Sequence, residues 1–202
     1  MSNFLRRRPK RRLRIVRNGH PALRARSAEI EVIDETVRQL AADMTEAMLT
    51  NDVVGVGLAA PQVGVNRRLI VVDTRCDDDP PVTELTPGEV LLNPMMPVAL
   101  VNPVIVSASA ETETCPEGCL SLPGVNGDVT RPAQVLLKAT LLDGTDVQCQ
   151  CGRLLGRCLQ HEIDHLDGIL FIDHSPEEQR QAAEPVLRQL EKNEQKRLHS
   201  GK

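Results

Sequence analysis

The strongest constraint on the fold is an amphipathic helical pattern over residues 152–167 with two histidines on its apolar side. On a helical projection His161 and His165 lie roughly 40° apart, and Leu154 and Cys158 fall within roughly 60° of His161. Polar residues gather on the remaining stripe, namely Arg153, Arg157, Gln160, Asp164 and Asp167. Two inward-facing imidazoles one turn apart need a common partner, and a shared metal ion would supply one.

Glu162 follows the first histidine and lies roughly 60° around the helix from His165. It would therefore lie beside the metal, where a carboxylate can act as a base on water. A hydrolytic site also needs a third protein ligand. His174 is within reach by distance, but the spacing of the common zinc peptidases is absent. Cys119 stands out upstream. For the five-residue motif alone, a solvated polar turn remains the alternative.

Sequence periodicity predicts the other elements of a single domain. A helix is predicted over residues 34–49 and a buried strand over residues 68–73. Residues 76–88, acidic and rich in proline, predict an exposed loop. Further along the chain we predict a strand over residues 98–108 interrupted at Pro103, a hairpin from residue 134 to residue 151, and a helix opening at Ser175. The fold class is α+β, with mixed or antiparallel sheets around the central histidine helix and with N-terminal and C-terminal helices.

The chain of 202 residues is predicted to hold a basic tail (1–12), one catalytic domain (13–174) and a C-terminal helix with its own tail (175–202). With two Phe and neither Tyr nor Trp, the core must be aliphatic, and nucleic-acid binding by base stacking is disfavoured. The six cysteines accompany no sign of secretion, so buried thiols or metal ligands are favoured over disulfides. Cys149 and Cys151 are interpreted as plain thiols.

Charge is distributed unevenly along the chain. Residues 1–17 carry eight of the 24 basic residues and no acid, which leaves 16 basic against 28 acidic residues, a net charge of −12. The tail is interpreted as a solvated terminus, with an anchor to RNA or a transit peptide as alternatives. Because no apolar run of about 18 residues or signal sequence is present, we expect a cytoplasmic protein without membrane contact.

Three motifs together resemble those of one enzyme family. They read Gly55-Val-Gly-Leu-Ala-Ala-Pro-Gln62, Glu117-Gly-Cys-Leu-Ser121 and Gln160-His-Glu-Ile-Asp-His165. Their content and order are similar to those of the peptide deformylases, and residues 13–190 can be compared with that family. Two departures, a longer segment at residues 76–92 and the basic tail, touch no motif.

The resemblance implies a set of roles for matching residues. Cys119, His161 and His165 would hold one divalent ion, which is Fe²⁺ in the family, with Zn²⁺, Ni²⁺ and Co²⁺ as alternatives. Glu162 would transfer protons. The Gln62 side chain and the Leu120 backbone N–H would stabilise the oxyanion.

The implied substrate is the N-formyl group on the initiator methionine of nascent polypeptides. Val56, Leu154 and Cys158 are expected to line the methionine pocket, and Gly57 and Gly118 to pair with the peptide backbone. Ribosome contact through the basic tail or the C-terminal helix is a further expectation.

The family pattern also predicts one structural ion pair, between Asp164 and Arg131. It would tie the Cys119 region to the histidine helix. A solvated Asp164, or one paired with Arg157, is the alternative.

Three rival functions remain open at this point. One is a zinc endopeptidase of another family, which would use a Glu or His as third ligand. The second is a hydrolase with Cys119 as nucleophile and His161 as its base. The third is a catalytically inactive binding module, against which the intact Glu162 and Gln62 argue.

Overall fold

The computed structural model of the protein describes residues 13–51, 53, 55–75 and 81–200. The predicted basic tail and residues 76–80 of the predicted loop lie outside this range. The four helices are α1 (Glu35–Leu49), α2 (Pro87–Leu92), α3 (Arg153–Leu166) and α4 (Glu177–Ser200). The seven strands are β1 (Gly57–Ala59), β2 (Leu69–Val72), β3 (Val98–Ala108), β4 (Thr112–Gly118), β5 (Asn126–Pro132), β6 (Gln134–Leu141) and β7 (Asp146–Gly152).

The strands form two antiparallel sheets. Five of them pair in the order β1-β2-β3-β6-β7, and β4 pairs with β5 alone. Together with the helices they confirm the α+β prediction. The β4–β5 ladder, which the sequence did not predict, ends at the pair Gly118 and Asn126. The chain therefore leaves the small sheet immediately before Cys119.

Strand β3 runs from Val98 to Ala108 as predicted, and the predicted interruption at Pro103 takes the form of a break in its pairing with β6. The register with β6 shifts between Val101 and Val104, and Asn102 has a φ of 49°. Such a bulge accommodates proline, because the bulged position needs no ladder hydrogen bond. The Asn102 side chain pairs with the backbone N–H and C=O of Ile30, both at 2.9 Å, which stabilises the bulge.

Residues 76–88 are not a loop throughout. Helix α2 begins at Pro87, and Thr86 caps its N-terminus. The Thr86 hydroxyl accepts from the Glu89 N–H, and the Thr86 N–H donates to the Glu89 carboxylate. This reciprocal cap compensates for the poor helix propensity of Pro and Gly. Pro81, Thr83 and Glu84 are exposed as predicted, but the loop prediction is wrong at the short 3-10 helix Val82–Glu84 and at the start of α2.

Helix α3 lies against the five-stranded sheet and carries the histidines. Its predicted end is confirmed, since Gly168 has a φ of 78° and the Ile169 N–H bonds the Asp164 carbonyl at 2.9 Å. The apolar face of α3 joins a core of Val, Leu, Ile, Ala, Met and Cys. Among the described residues Phe171 is the single buried Phe, Tyr or Trp, so the core is aliphatic as predicted.

Helix α4 packs on the start of the domain. Arg14 forms a bidentate pair with the buried Glu194 at 2.9 and 2.7 Å, and the Asn18 amide donates to the Leu187 carbonyl at 3.1 Å. Helix α4 begins two residues after the predicted opening at Ser175, whose buried hydroxyl makes no hydrogen bond with any part of the chain described here and so does not cap the helix. No helix within the described ranges is long and apolar enough to cross a membrane.

Candidate active site

Three candidate metal ligands converge between α3 and the end of β4. The ligand atoms of Cys119, His161 and His165 all lie within 4.8 Å of one another, and the Cys119 Sγ is 3.2 Å from the His165 Nε2. Ligand atoms around a tetrahedral ion lie roughly 3.5 Å apart, given the usual metal–sulfur and metal–nitrogen bond lengths. The donor set therefore fits one ion of that size.

Both imidazoles are prepared to bind through Nε2. The His161 Nδ1 lies 2.9 Å from the Glu117 Oε2, a hydrogen bond that places its proton on Nδ1. His165 is fully buried, and burial, aided by the charge of a protonated His161, holds the pKa of His165 well below its usual value. Burial also lowers the pKa of His161, but hydrogen bonds to Cys119 and Glu117 outweigh it and raise that pKa to about 10, so a bound ion must displace a proton from this imidazole. A neutral imidazole is the form that binds metal.

Glu117 is the centre of a buried charge network that the sequence analysis did not assign. It accepts from the Arg131 Nε and Nη2 at 2.7 and 3.0 Å and from the Arg157 Nη1 at 2.8 Å. Burial alone would raise the pKa of Glu117, but the hydrogen bonds from His161 and Arg131 outweigh it and hold that pKa well below the usual range. The signal that the sequence offered was its place in the second motif, two residues before Cys119.

The predicted ion pair between Asp164 and Arg131 is confirmed. The Arg131 Nη1 lies 2.8 Å from the Asp164 Oδ2, and the arginine side chain is only 6% exposed. Arg157, the alternative partner, bonds Glu117 and the Val129 carbonyl instead. Arg131 thus links the strand before Cys119 to the helix that carries both histidines.

Glu162 lies buried beside the candidate ligands. It is 4% exposed, and its Oε2 has no hydrogen-bond partner among the described residues. Burial raises the pKa of Glu162 to about 7. A cation at the adjacent ligands would oppose this shift by favouring the carboxylate. An unpaired buried carboxyl is costly, which indicates a functional position.

Gln62 is held with its amide nitrogen toward the ligands. Its Oε1 accepts from the Ala59 N–H at 2.7 Å, which assigns the opposite end as the donor. The Nε2 donates to the Cys119 Sγ and the Ser121 Oγ, each at 3.4 Å. The side chain is 1% exposed, so it offers a donor that water does not screen.

A cleft of about 520 Å³ opens onto these groups. That volume is in the range of small-ligand sites. Every predicted substrate-binding residue lines it: Val56, Gly57, Gly118, Leu154 and Cys158. Gln62, Cys119, Leu120, His161 and Glu162 also line it, whereas His165 lies behind them, fully buried.

Gly57 provides a first test of the site. A Cβ at this residue would lie 2.5 Å from the Glu162 Oε1 and 2.7 Å from the Cys158 Sγ. We expect Gly57→Ala to displace Glu162 and to lower kcat at least about tenfold. Misplacing a catalytic group can lower the rate about 10²-fold in strong cases. Gly88→Ala, the control, would crowd Cys151 at 2.3 Å but touch no candidate site residue. It should lower the melting temperature and spare kcat; equal kcat losses in both variants would contradict the prediction.

A thiol and two imidazoles beside a buried carboxyl, at the floor of an apolar cleft, are the arrangement of a metal-dependent hydrolase. The comparison with known proteins narrows this class. The family model described as polypeptide deformylase matches residues 12–181. The peptide deformylase of Thermomicrobium roseum is 44% identical over 179 residues, which cover 84% of this chain and 94% of that protein.

Solved structures agree with the family match. A plant peptide deformylase aligns with a TM-score of 0.77 at 32% identity, covering 94% of this chain and 95% of its own. The Synechococcus elongatus enzyme, solved with actinonin, aligns with a TM-score of 0.71 at 35% identity, covering 88% and 86%. The chain belongs to the peptide deformylase family. It is an amide hydrolase that removes the N-formyl group from methionyl peptides, and the endopeptidase alternative is not supported.

Proposed function

We propose that Cys119, His161 and His165 bind one divalent ion, which is Fe²⁺ in the cell. The convergence of their ligand atoms within 4.8 Å is the observation that carries the proposal. One thiolate and two neutral imidazoles leave a net positive charge on a divalent ion. Zn²⁺, Ni²⁺ and Co²⁺ suit the same donors. When bound, the ion supplies Lewis-acid activation of water and of the formyl carbonyl.

Glu162 moves the proton in the proposed reaction. Its unpaired Oε2 takes a proton from the attacking water and delivers it to the nitrogen of the leaving amine. The C–N bond of the formyl amide breaks, and formate and a free N-terminal methionine are the products. Because burial excludes competing donors, Glu162 exchanges its proton only with groups in the cleft.

Gln62 and Leu120 stabilise the negative charge that develops on the formyl oxygen. The fixed orientation of the Gln62 amide presents an N–H toward the ligands without adding a charge. The Leu120 backbone N–H, next to Cys119, is the second donor. Donors that are already in place cost little reorganisation in the transition state.

Substrate recognition divides between an apolar pocket and exposed backbone. Val56, Leu154 and Cys158 line the cleft and take the methionine side chain. Gly57 and Gly118 let a peptide backbone approach as an added strand, since neither carries a Cβ. The substrates are therefore N-formyl-methionyl nascent peptides.

The pocket assignment predicts the effect of enlarging Cys158. This residue is 5% exposed and its Sγ lies 3.4 Å from the Val56 carbonyl, so there is little spare space. We expect Cys158→Phe to raise KM for formyl-methionyl peptides at least about fivefold. A mismatch of about one methylene group between side chain and pocket costs about 1–3 kcal/mol of binding free energy. Metal content should stay unchanged. Leu154→Phe, at the 44% exposed rim, is the better-tolerated second variant. If both keep the original KM, the methionine pocket lies elsewhere.

The decisive experiment starts from chelated protein reloaded anaerobically with Fe²⁺. We expect formate release from a formyl-Met peptide after reloading and none before it. Peptide bonds in the same substrate should stay intact. Cys119→Ser should lose bound metal and activity together, while Cys115→Ser, the matched control four residues away, should keep both.

Each rival predicts a different result. An endopeptidase with another third ligand would keep its metal in Cys119→Ser. A cysteine-nucleophile hydrolase would resist the chelator and be inactivated by alkylation without metal. An inactive binding module would bind formyl-Met peptide and release no formate.

The cellular setting follows from the substrate. We place the enzyme in the cytoplasm, where formylated chains emerge, with ribosome contact through the basic tail or α4. Eight basic residues within the first 17 would favour ribosomal RNA. We expect the protein to cosediment with ribosomes. Cosedimentation should fall with added salt and should be lost when residues 1–12 are removed. Loss only on removal of α4 would favour the helix.

A further inference from the structure

Three consecutive residues, Val16, Arg17 and Asn18, bind the loops that carry the oxyanion donors. The Val16 N–H donates to the Gln62 carbonyl at 2.8 Å, and the Asn18 N–H donates to the Ser121 carbonyl at 3.1 Å. Between them, the Arg17 guanidinium donates to the Leu120 carbonyl. One short segment thus joins the loop of the first motif to the loop of the second.

The Leu120–Ser121 peptide group is held at both ends. Its carbonyl oxygen accepts from Arg17, and its N–H, on Ser121, donates to the Cys119 Sγ at 3.4 Å. A cation on the oxygen of a peptide group polarises it and strengthens the N–H at the other end as a donor. An N–H donated to a thiolate stabilises the negative charge on sulfur and lowers its electron donation to a metal.

The segment that carries Arg17 is itself anchored from behind by α4. Asn18 donates to the Leu187 carbonyl, and Arg14 pairs with a Glu194 that is 2% exposed. A Cβ on Gly19 would lie 2.8 Å from the Glu191 Cα, so backbone and helix are in close contact there. Arg17 therefore reaches the cleft from a fixed backbone, in contrast to an ordinary surface arginine.

We propose that Arg17 is a positioning residue for deformylation: through the Leu120–Ser121 peptide it sets the charge on the Cys119 sulfur, and by holding the Leu120 carbonyl it fixes the backbone of the residue that carries the proposed oxyanion N–H. The inference rests on the proposed role of Cys119 as a metal ligand. Arg17 lines the cleft and acts on the Cys119 sulfur by way of the Leu120–Ser121 peptide. Its effect should therefore appear in kcat and in the metal–sulfur bond, with little change in KM.

The test uses full-length protein loaded with Co²⁺, whose thiolate-to-metal charge-transfer absorption reports on the sulfur directly. We compare wild type with Arg17→Met, Arg17→Lys and a control, Arg26→Met. Arg26 lies nearby in sequence, is 84% exposed and contacts Asp167 only at 3.7 Å. Absorption, kcat, KM and the melting temperature are measured for each protein.

We expect Arg17→Met to shift the charge-transfer band to lower energy and to lower kcat roughly 10- to 100-fold, the range for residues that orient metal ligands. KM should stay within about twofold of the wild-type value, because the contacts that bind the substrate equally in the ground state and the transition state are unchanged. Arg17→Lys, which keeps the charge, should restore most of the band position. Arg26→Met should match wild type.

Several results would overturn the inference. An unmoved charge-transfer band with unchanged kcat in Arg17→Met would refute the proposed role. A lower melting temperature with an unmoved band would refute it too, because a merely structural contact gives that result. A raised KM with an unmoved band would make Arg17 a substrate contact. If Arg17→Met does not fold, Arg17→Gln, which also removes the charge, takes its place, and an unmoved band with unchanged kcat in that variant decides against the inference. A wild-type protein without any thiolate band would instead refute the proposed Cys119 ligation.

Discussion

Glu162→Gln is expected to lower kcat about 10²- to 10⁴-fold, the contribution typical of a general base. The amide matches the carboxyl in shape, and the replaced Oε2 has no hydrogen-bond partner to lose within the described structure. The variant should therefore fold and bind its metal ion as wild type does. Formate release from a formyl-Met peptide, measured with Fe²⁺-loaded protein, checks the activity, and metal analysis checks the site.

The matched control for this prediction is Glu113→Gln. Glu113 is an exposed glutamate on β4, and its variant removes the same charge away from the cleft. It should retain wild-type kcat. A Glu162→Gln enzyme within about tenfold of wild type would show that another group transfers the proton.

Removal of Arg131 is expected to cost about 3–5 kcal/mol of unfolding free energy, the range for breaking a buried ion pair. Arg131 is 6% exposed and neutralises both Glu117, also 6% exposed, and Asp164, 20% exposed. Without it Glu117 still bonds Arg157 and His161, and Asp164 still lies against His174, but each carboxylate loses part of its compensation. Arg131→Met should thus lower the denaturant midpoint and also weaken metal retention, because Glu117 orients the His161 ring.

A double-mutant cycle separates the Asp164 contact from the rest. We expect Arg131→Met and Asp164→Asn to show a coupling energy above about 1 kcal/mol, since contacting residues in a network couple by 0.5–3 kcal/mol. The exposed pair Arg188–Glu184, at 2.5 Å on α4, is the control, and its coupling should be below about 1 kcal/mol. Equal coupling energies for the buried and exposed pairs would show that Arg131 does not stabilise the contact between β5 and α3.

Elements whose signals are local could be predicted without a structure. Helix α1 begins after Asp34, whose side chain accepts from the Val37 N–H at 3.0 Å, as its helical pattern predicts. Strands β6 and β7 meet at the predicted turn, where the Thr145 N–H donates to Asp143 at 2.9 Å. The histidine pair on α3 needed only helical spacing, because residues four apart share one face.

Family resemblance, not spacing, pointed to Cys119 and to the Arg131–Asp164 pair. No local pattern could have linked them to α3, since Cys119 and His165 are 46 residues apart and Arg131 and Asp164 are 33 apart. The small β4–β5 sheet that brings them near the helix was also missed. Its residues alternate too weakly in hydrophobicity to be read as strands.

The contacts that position the site residues are visible in the folded protein alone. Glu117 as the centre of the charge network, the lack of space above Gly57, and Arg17 against the Leu120 carbonyl all join residues distant in sequence. Such contacts depend on how packed elements approach one another, a property that no single segment carries. Local periodicity shows which side of an element faces inward, whereas the pairing of buried charges depends on which elements meet there.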